Sequence, residues 1–124
     1  EVHSMSMEFF AWKWMPLFFK ENAEKYKYMH IGNALSFIPY GTMVDYFQQL
    51  VYEKPDMTPA ERKSLWLDLE KQFRPYLSNE GITYMEEGGR WQCQSHIFER
   101  PFYYIDYCLA QTVAFEFLIE MHRD

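Results

Sequence analysis

The most informative stretch of this sequence is Ser95-His96-Ile97-Phe98-Glu99-Arg100-Pro101-Phe102-Tyr103-Tyr104-Ile105-Asp106-Tyr107. If a helix begins at Pro101, the tyrosines that follow are spaced three and four residues apart, and their side chains lie on one helical face. His96 comes from a turn or helix end just before the proline, so its imidazole and the phenols can converge on one point. Such a group can donate hydrogen bonds to a developing oxyanion. On spacing alone, however, Tyr and Phe at helical intervals are more often ordinary core residues.

The first half of the chain has the apolar pattern of helices. Ser4–Phe19 is apolar on nearly every side, which is typical of a helix buried among others, and Pro16 is expected to kink it or to end its first part. Glu24–Tyr52 predicts two helices, or one helix with a break, because Pro39-Tyr40-Gly41 interrupts the helical period. We expect this segment to end before Pro55.

The clearest helix start lies in the middle of the chain. Thr58 can cap the helix, Pro59 suits the first helical position, and Glu61 stands three residues after the cap, as in a capping box. We expect this helix to close at Arg74-Pro75, because a residue before proline disfavours helical backbone angles.

The remaining segments complete an all-α prediction. Leu77–Gly89 has the composition of a loop, in which Ile82-Thr83-Tyr84 is a candidate for a short extended piece. A short helix is expected from Arg90 to Glu99, and a long one from Pro101 to about Met121. The sequence thus predicts an all-α fold, a bundle of about five to six helices.

Composition restricts the classes of function. The chain of 124 residues is one domain or less, and its 48% apolar and 20% aromatic residues exclude general disorder. A net charge of -6 argues against nucleic acid as a partner, because no basic stripe can neutralise phosphates. No apolar run is long enough to cross a membrane and no signal peptide is recognisable, so we expect a cytoplasmic protein. We expect Cys93 and Cys108 to be reduced, with a disulfide between them as the alternative. Because it opens at Glu1 without a methionine, we expect a piece of a longer protein.

Several motifs spread along the chain carry a resemblance to a known family. The most specific are Gln94-Ser-His-Ile-Phe-Glu99 and Pro101-Phe-Tyr-Tyr-Ile-Asp-Tyr107, supported by Glu1-Val-His-Ser-Met-Ser-Met-Glu8, Ile38-Pro-Tyr-Gly41, Val44-Asp45 and Gly89-Arg-Trp-Gln92. Together they resemble the oligoendopeptidase F family, zinc peptidases of the thimet oligopeptidase and neurolysin type. The resemblance implies that residues 1–124 are the C-terminal segment of a zincin-type helical catalytic domain.

The resemblance also implies a metal site that this chain supplies only in part. The family binds one zinc ion through two histidines of a His-Glu-x-x-His helix and a glutamate from a later helix. This sequence lacks that motif, and the later glutamate matches Glu1, the candidate zinc ligand. Glu8, two helical turns further on, matches an acid behind the metal that orients the histidine ligands. His3 is a candidate for the same supporting role, although a structural histidine is the more frequent case.

The candidate catalytic residues that follow from the resemblance are His96, Tyr104 and Tyr107. They match the family's histidine and tyrosines that face the scissile carbonyl, where one phenol donates to the oxyanion and the imidazole holds the peptide backbone or shares the charge. Tyr103 is expected to contact substrate or to be a packing residue.

Two hypotheses therefore stand. In the first, the chain is the C-terminal catalytic segment of a zinc-dependent oligoendopeptidase that hydrolyses internal bonds of short peptides. The missing N-terminal part of the same peptidase is then its partner, and the segment alone is expected to be inactive, to bind zinc weakly or not at all, and to associate with itself through uncovered apolar surface. In the second, it is a non-catalytic all-α module that binds a peptide or another protein.

Overall fold

The computed structural model describes residues 1–123, and within them it is all-α, which confirms the predicted fold class. The α-helices are α1 (Val2–Phe10), α2 (Met15–Phe19), α3 (Ala23–Glu53), α4 (Pro59–Phe73), α5 (Thr83–Glu86), α6 (His96–Glu99) and α7 (Ile105–Met121). Three 3-10 helices, Ala11–Trp14, Lys20–Asn22 and Arg90–Cys93, join some of them. The chain divides into two compact units: the first unit comprises residues 1–38 and the chain from residue 106 onward, and the second comprises residues 39–105.

The apolar N-terminal stretch is divided between two helices and is less buried than its composition predicts. α1 passes into a 3-10 helix, and Pro16 lies in the first turn of α2, where its missing N–H leaves no helical bond unmade. Leu17 and Phe18 are 76% and 71% exposed, so the prediction of a helix buried among others is wrong for this part of the chain. A helix that is apolar all round needs neighbours on every side, and these side chains have none over most of their surface.

α3 is a single helix of 31 residues that continues through Pro39. The predicted break, and the alternative of two helices, are therefore wrong, whereas the predicted end before Pro55 is confirmed. Proline removes one backbone hydrogen bond inside a helix. The turns that follow nevertheless remain helical and bury Met43, Val44 and Phe47 in the core of the second unit.

The core of the second unit is built around aromatic rings from three elements. Phe47 is 1% exposed; its ring centroid lies 5.1 Å from that of Trp66 at 87° and 5.4 Å from that of Trp91 at 41°. Met43 and Leu69 complete the contacts around these rings. The core of the first unit is a smaller group, formed by the buried residues Phe9, Ala34, Ala114 and Leu118.

α4 begins as the sequence predicts, with a complete capping box. The Glu61 N–H donates to the Thr58 hydroxyl at 3.3 Å, and the Thr58 N–H donates to the Glu61 carboxylate at 2.7 Å. The helix ends at Phe73, directly before Arg74-Pro75, and this too confirms the prediction.

The predicted extended piece at Ile82–Tyr84 is wrong, because this segment enters the short helix α5. The N–H groups of Met85 and Glu86 both donate to the Ile82 carbonyl, at 2.8 Å and 3.0 Å, which closes a local helical turn. Gly88 ends the segment with a φ of 79°, and an added Cβ would lie 2.3 Å from the Lys63 carbonyl oxygen. Only glycine fits at that point.

The last long helix begins four residues later than predicted, at Ile105 rather than Pro101. Phe102 has a φ of 62°, which interrupts a right-handed helix, and its N–H donates to the buried Gln48 side chain at 3.0 Å. Tyr103 and Tyr104 thus lie in the turn before α7, and their predicted helical spacing from Tyr107 is wrong.

The two cysteines differ in exposure. The thiol of Cys93 is exposed, whereas that of Cys108 is buried and donates to the Ile38 carbonyl at 3.7 Å. No disulfide joins these two cysteines within the described residues. Among residues 1–123, no helix combines the length and the apolar character needed to cross a membrane.

Candidate functional site

His96 and Tyr104, two of the predicted catalytic residues, come together in the second unit. His96 is the first residue of α6, and its ring centroid lies 4.8 Å from that of Tyr104 at an angle of 63°. Both side chains are half-buried. Tyr104 lies in the turn that follows Phe102, directly before α7 begins. Edge-on packing of this kind fixes the orientation of the two rings relative to each other.

The His96 ring is held by a neighbouring amide. The Gln94 side-chain nitrogen lies 2.7 Å from His96 Nδ1, and the Gln94 side-chain oxygen accepts a hydrogen bond of 2.7 Å from the Tyr40 hydroxyl. The Tyr40 ring also stands perpendicular to the Tyr104 ring, with 6.0 Å between centroids. Tyr40 thus contacts both partners of the His96–Tyr104 pair, one directly and one through Gln94.

Tyr40 is in turn surrounded by two arginines and a buried carboxylate. The Arg74 guanidinium carbon lies 5.0 Å from the Tyr40 ring centroid and that of Arg90 lies 5.8 Å from it. Glu70 is only 4% exposed; one of its oxygens lies 3.8 Å from Arg74 and 3.9 Å from Arg90. The other oxygen accepts a hydrogen bond of 3.0 Å from Asn79. This arrangement compensates a carboxylate whose burial alone would be costly.

Burial raises the pKa of the Tyr40 hydroxyl above its usual range, because desolvation disfavours the phenolate. The positive charges of Arg90 and Arg74, and hydrogen bonding from Arg90, offset part of that effect. Tyr40 therefore keeps its proton at neutral pH and can donate it to Gln94.

The remaining predicted residues of the candidate site are divided between the two units. Tyr103 belongs to the second unit, and its N–H donates to the Arg100 carbonyl at 3.2 Å in the turn before α7. Tyr107 is half-buried in the first turn of α7 and belongs to the first unit, as do Glu1, His3 and Glu8. Their catalytic, substrate-binding and metal-binding roles stay predictions.

The N-terminal acids Glu1 and Glu8 are both exposed. Glu1 precedes α1 at its N-cap position, where its carbonyl accepts the Met5 N–H at 3.0 Å. The Glu8 carboxylate pairs with His30 Nε2 at 2.8 Å, while Nδ1 of the same ring accepts the Trp12 indole N–H at 3.1 Å. His30 is thus oriented from both sides, and its pairing with a carboxylate is a contact that sequence reasoning missed.

Within residues 1–123, no three His, Cys, Asp or Glu side chains lie close enough together to hold a metal ion. Glu1 is an exposed carboxylate and Glu8 is occupied by His30. The donor set of residues 1–123 by itself therefore does not fit a zinc site of three protein ligands.

The residues that hold His96 also went unrecognised in the sequence. Tyr40 and Gln94 are 54 positions apart, so no local pattern joins them. Both nevertheless stand inside motifs that carry the family resemblance, Tyr40 in Ile38–Gly41 and Gln94 at the start of Gln94–Glu99. Arg90 stands in a third such motif, Gly89–Gln92, whereas nothing local marks Glu70 as a buried acid.

The chain is similar to solved structures of peptidases. No protein-family model and no curated protein matches the chain. Among solved structures, 99% of the chain matches an oligoendopeptidase F at 56% identity with a TM-score of 0.95. It matches PZ peptidase A, solved with an inhibitor, at 54% identity with a TM-score of 0.95, and an oligoendopeptidase F from Bacillus anthracis at 43% with a TM-score of 0.76.

These similarities confirm the resemblance predicted from the sequence. The chain covers 22% of the first two of these structures and 18% of the third, so it spans about a fifth of the length of the proteins it matches.

Proposed function

From the relationship of nearly this whole chain to part of oligoendopeptidase F, we propose that it is a segment of a peptidase. The parent protein hydrolyses internal bonds of short peptides and takes the remainder of its catalytic domain from residues N-terminal to this segment. The observation that carries the proposal is the His96–Tyr104 pair, held at 4.8 Å in a chain similar to a peptidase solved with an inhibitor.

The chemistry available to this pair is hydrogen bonding to a peptide. A phenol donates, and an imidazole can donate from one nitrogen while its other nitrogen accepts. Peptide hydrolysis passes through a tetrahedral species whose oxygen carries negative charge, and donors placed beforehand stabilise that charge. We assign this role to His96 and Tyr104, with Tyr107 as a further donor and Tyr103 as a contact to substrate.

The proposal includes zinc as the metal of the intact parent, with Glu1 as one ligand and Glu8 and His3 supporting the site. Zinc polarises a carbonyl and activates water when it is bound. We place the other ligands in the parent protein outside this chain, because the donor set of the described residues does not complete a site. Glu8 is already hydrogen-bonded to an imidazole, His30, which is the kind of contact that orients metal-ligating histidines in other proteins.

The decisive experiment measures turnover of a quenched fluorescent peptide by the complete protein. Tyr104→Phe and Tyr107→Phe each remove one hydroxyl, so we expect kcat to fall on the order of a hundredfold or more, with zinc content unchanged. The matched control is Tyr84→Phe, which removes a hydroxyl that donates to Gln92 at 2.6 Å elsewhere in the second unit. Unchanged turnover in Tyr107→Phe removes that residue from the mechanism, and full activity in both variants contradicts the proposed role of the phenols.

The second candidate function, a non-catalytic module that binds a peptide or protein, is favoured by exposed apolar side chains such as Leu17 and Phe18. Metal analysis and peptide hydrolysis by the complete protein separate the two. A complete protein that holds no zinc and cleaves no peptide, yet binds peptides, supports the module.

A further inference from the structure

The direction of the hydrogen bonds around Tyr40 is fixed by chemistry. The Tyr40 hydroxyl has a hydrogen-bond partner in the Gln94 side-chain oxygen, which can only accept. The hydroxyl proton therefore points to that oxygen, which lies 2.7 Å away. Because the Tyr40 hydroxyl keeps its proton, it is a donor throughout the neutral pH range.

This donor determines the orientation of the Gln94 amide. With its oxygen bound to the Tyr40 hydroxyl, Gln94 presents its NH2 group to His96 Nδ1 at 2.7 Å. The reversed amide would place an NH2 donor against the Tyr40 hydroxyl and remove the acceptor that the hydroxyl proton has at 2.7 Å. The observed orientation is the one that pairs each donor with an acceptor.

The amide orientation has a consequence for His96. An NH2 group can only donate, so Nδ1 must be the unprotonated nitrogen of the neutral ring, and the ring proton is then on Nε2. We infer that Tyr40 and Gln94 are positioning residues that hold neutral His96 in its Nε2–H form, presenting a donor rather than an acceptor at Nε2. The use of that donor toward a peptide rests on the proposed function, whereas the tautomer itself does not.

Glu70 pairs with the two arginines that contact the Tyr40 ring. Its carboxylate, 4% exposed, lies 3.9 Å from Arg90 and 3.8 Å from Arg74, the two cations next to the Tyr40 ring. A buried negative charge holds these guanidinium groups in place, since moving them away would leave it uncompensated. The position of the Tyr40 ring is thus supported by charged groups of the second unit, before any substrate is present.

Nitrogen NMR of the chain labelled with 15N-histidine tests this inference without substrate or metal. Nδ1 and Nε2 of a neutral imidazole differ strongly in shift according to which carries the proton, and the His96 signals are assigned by their loss in His96→Gln. At a pH where the ring is neutral, we expect His96 Nδ1 at the unprotonated shift and Nε2 at the protonated shift. Signals averaged between the two forms, or an Nδ1–H ring, would overturn the inference.

Three variants refine the test. Gln94→Glu places an acceptor beside Nδ1, and we expect the proton to move to Nδ1. Tyr40→Phe frees Gln94 to turn, and we expect the shifts to move toward those of a freely exchanging imidazole. The matched control is Tyr84→Phe, which removes the same type of tyrosine–glutamine hydrogen bond in the same unit and leaves the His96 shifts unchanged. If Gln94→Glu leaves the tautomer as it was, or the two phenylalanine variants act alike, the inference is wrong.

The two proposals can fail separately. A protein that shows the Nε2–H form but hydrolyses no peptide retains the positioning role of Tyr40 and Gln94 and loses the peptidase function. Conversely, an active complete protein whose His96 tautomer does not respond to Gln94→Glu keeps its peptidase function and loses the positioning role. Indole N–H signals of Trp66 and Trp91, compared across the variants, verify that the surrounding core is intact.

Discussion

Truncation of Phe47 to alanine should destabilise the second unit more than any change on its surface. The side chain is 1% exposed and its ring contacts those of Trp66 and Trp91. Loss of a buried Phe costs about 3–5 kcal/mol through lost burial and the cavity that remains. The two aromatic contacts account for about 0.5–1.5 kcal/mol each within that loss.

The matched control is Phe98→Ala. Phe98 also stacks on Trp91, with 5.7 Å between centroids, but it is 58% exposed. Its removal leaves no buried cavity, so we expect a loss of about 1 kcal/mol or less. The pair thus compares the same side chain against the same partner ring, once inside the core and once at its edge.

Urea unfolding followed by tryptophan fluorescence measures both effects. With a slope of about 2 kcal/mol per molar urea, Phe47→Ala should lower the midpoint by about 2 M, and Phe98→Ala by about 0.5 M or less, with the slope unchanged. Equal losses in the two variants, or a loss below about 1 kcal/mol for Phe47→Ala, would refute the view that this ring organises the core.

Two titrating groups and one exposed apolar pair give further measurable effects. Hydrogen bonds from Thr58, first from its backbone N–H, lower the pKa of Glu61 below its ordinary value of 4.5. The stability that these bonds confer is therefore present above that value and is lost as the pH falls through the lower folded pKa. Glu61→Gln should flatten this acid dependence in urea titrations, and an unchanged dependence would contradict the role of these hydrogen bonds. Burial raises the pKa of Tyr40 above 10.0. The contribution of Tyr40 to the free energy of unfolding is therefore constant below that value and falls as the pH rises through the folded pKa. Tyr40→Phe should make this alkaline loss of stability shallower in the same titrations, and an identical loss would argue against burial of the Tyr40 hydroxyl. Leu17 and Phe18 are largely exposed, so we expect copies of the chain to associate through these apolar side chains. Light scattering should show an apparent mass that rises with concentration, and that rises less after Leu17→Lys and Phe18→Lys. A constant monomeric mass in the unaltered chain would disprove this association.

Sequence reasoning succeeded where the deciding contacts are local. The capping box of α4 joins Thr58 and Glu61, three residues apart, and Arg74-Pro75 ends the helix through the backbone restriction of a single proline. It failed where a distant contact decides. The sequence predicts that α7 begins at Pro101, but the Phe102 N–H binds Gln48, 54 positions earlier, and the chain turns there instead.

In the candidate site, too, local contacts could be predicted and distant contacts could not. His96 and Tyr104 could be predicted from one stretch, and the structure brings their rings together. The groups that orient them could not, because Tyr40 reaches Gln94 across 54 positions and Glu70 meets Arg90 across 20. A single sequence gives no measure of which distant positions act on one another.

The difference in exposure between the two cysteines allows selective labelling of the protein near His96. Cys93 is exposed and directly precedes Gln94, whereas Cys108 is buried. A thiol-reactive fluorophore added to the native protein should therefore attach at Cys93, because the buried thiol is shielded from the reagent. The chain thus carries a natural attachment point for an optical reporter beside the amide that orients His96, and ligand binding there could be followed without introducing a new cysteine.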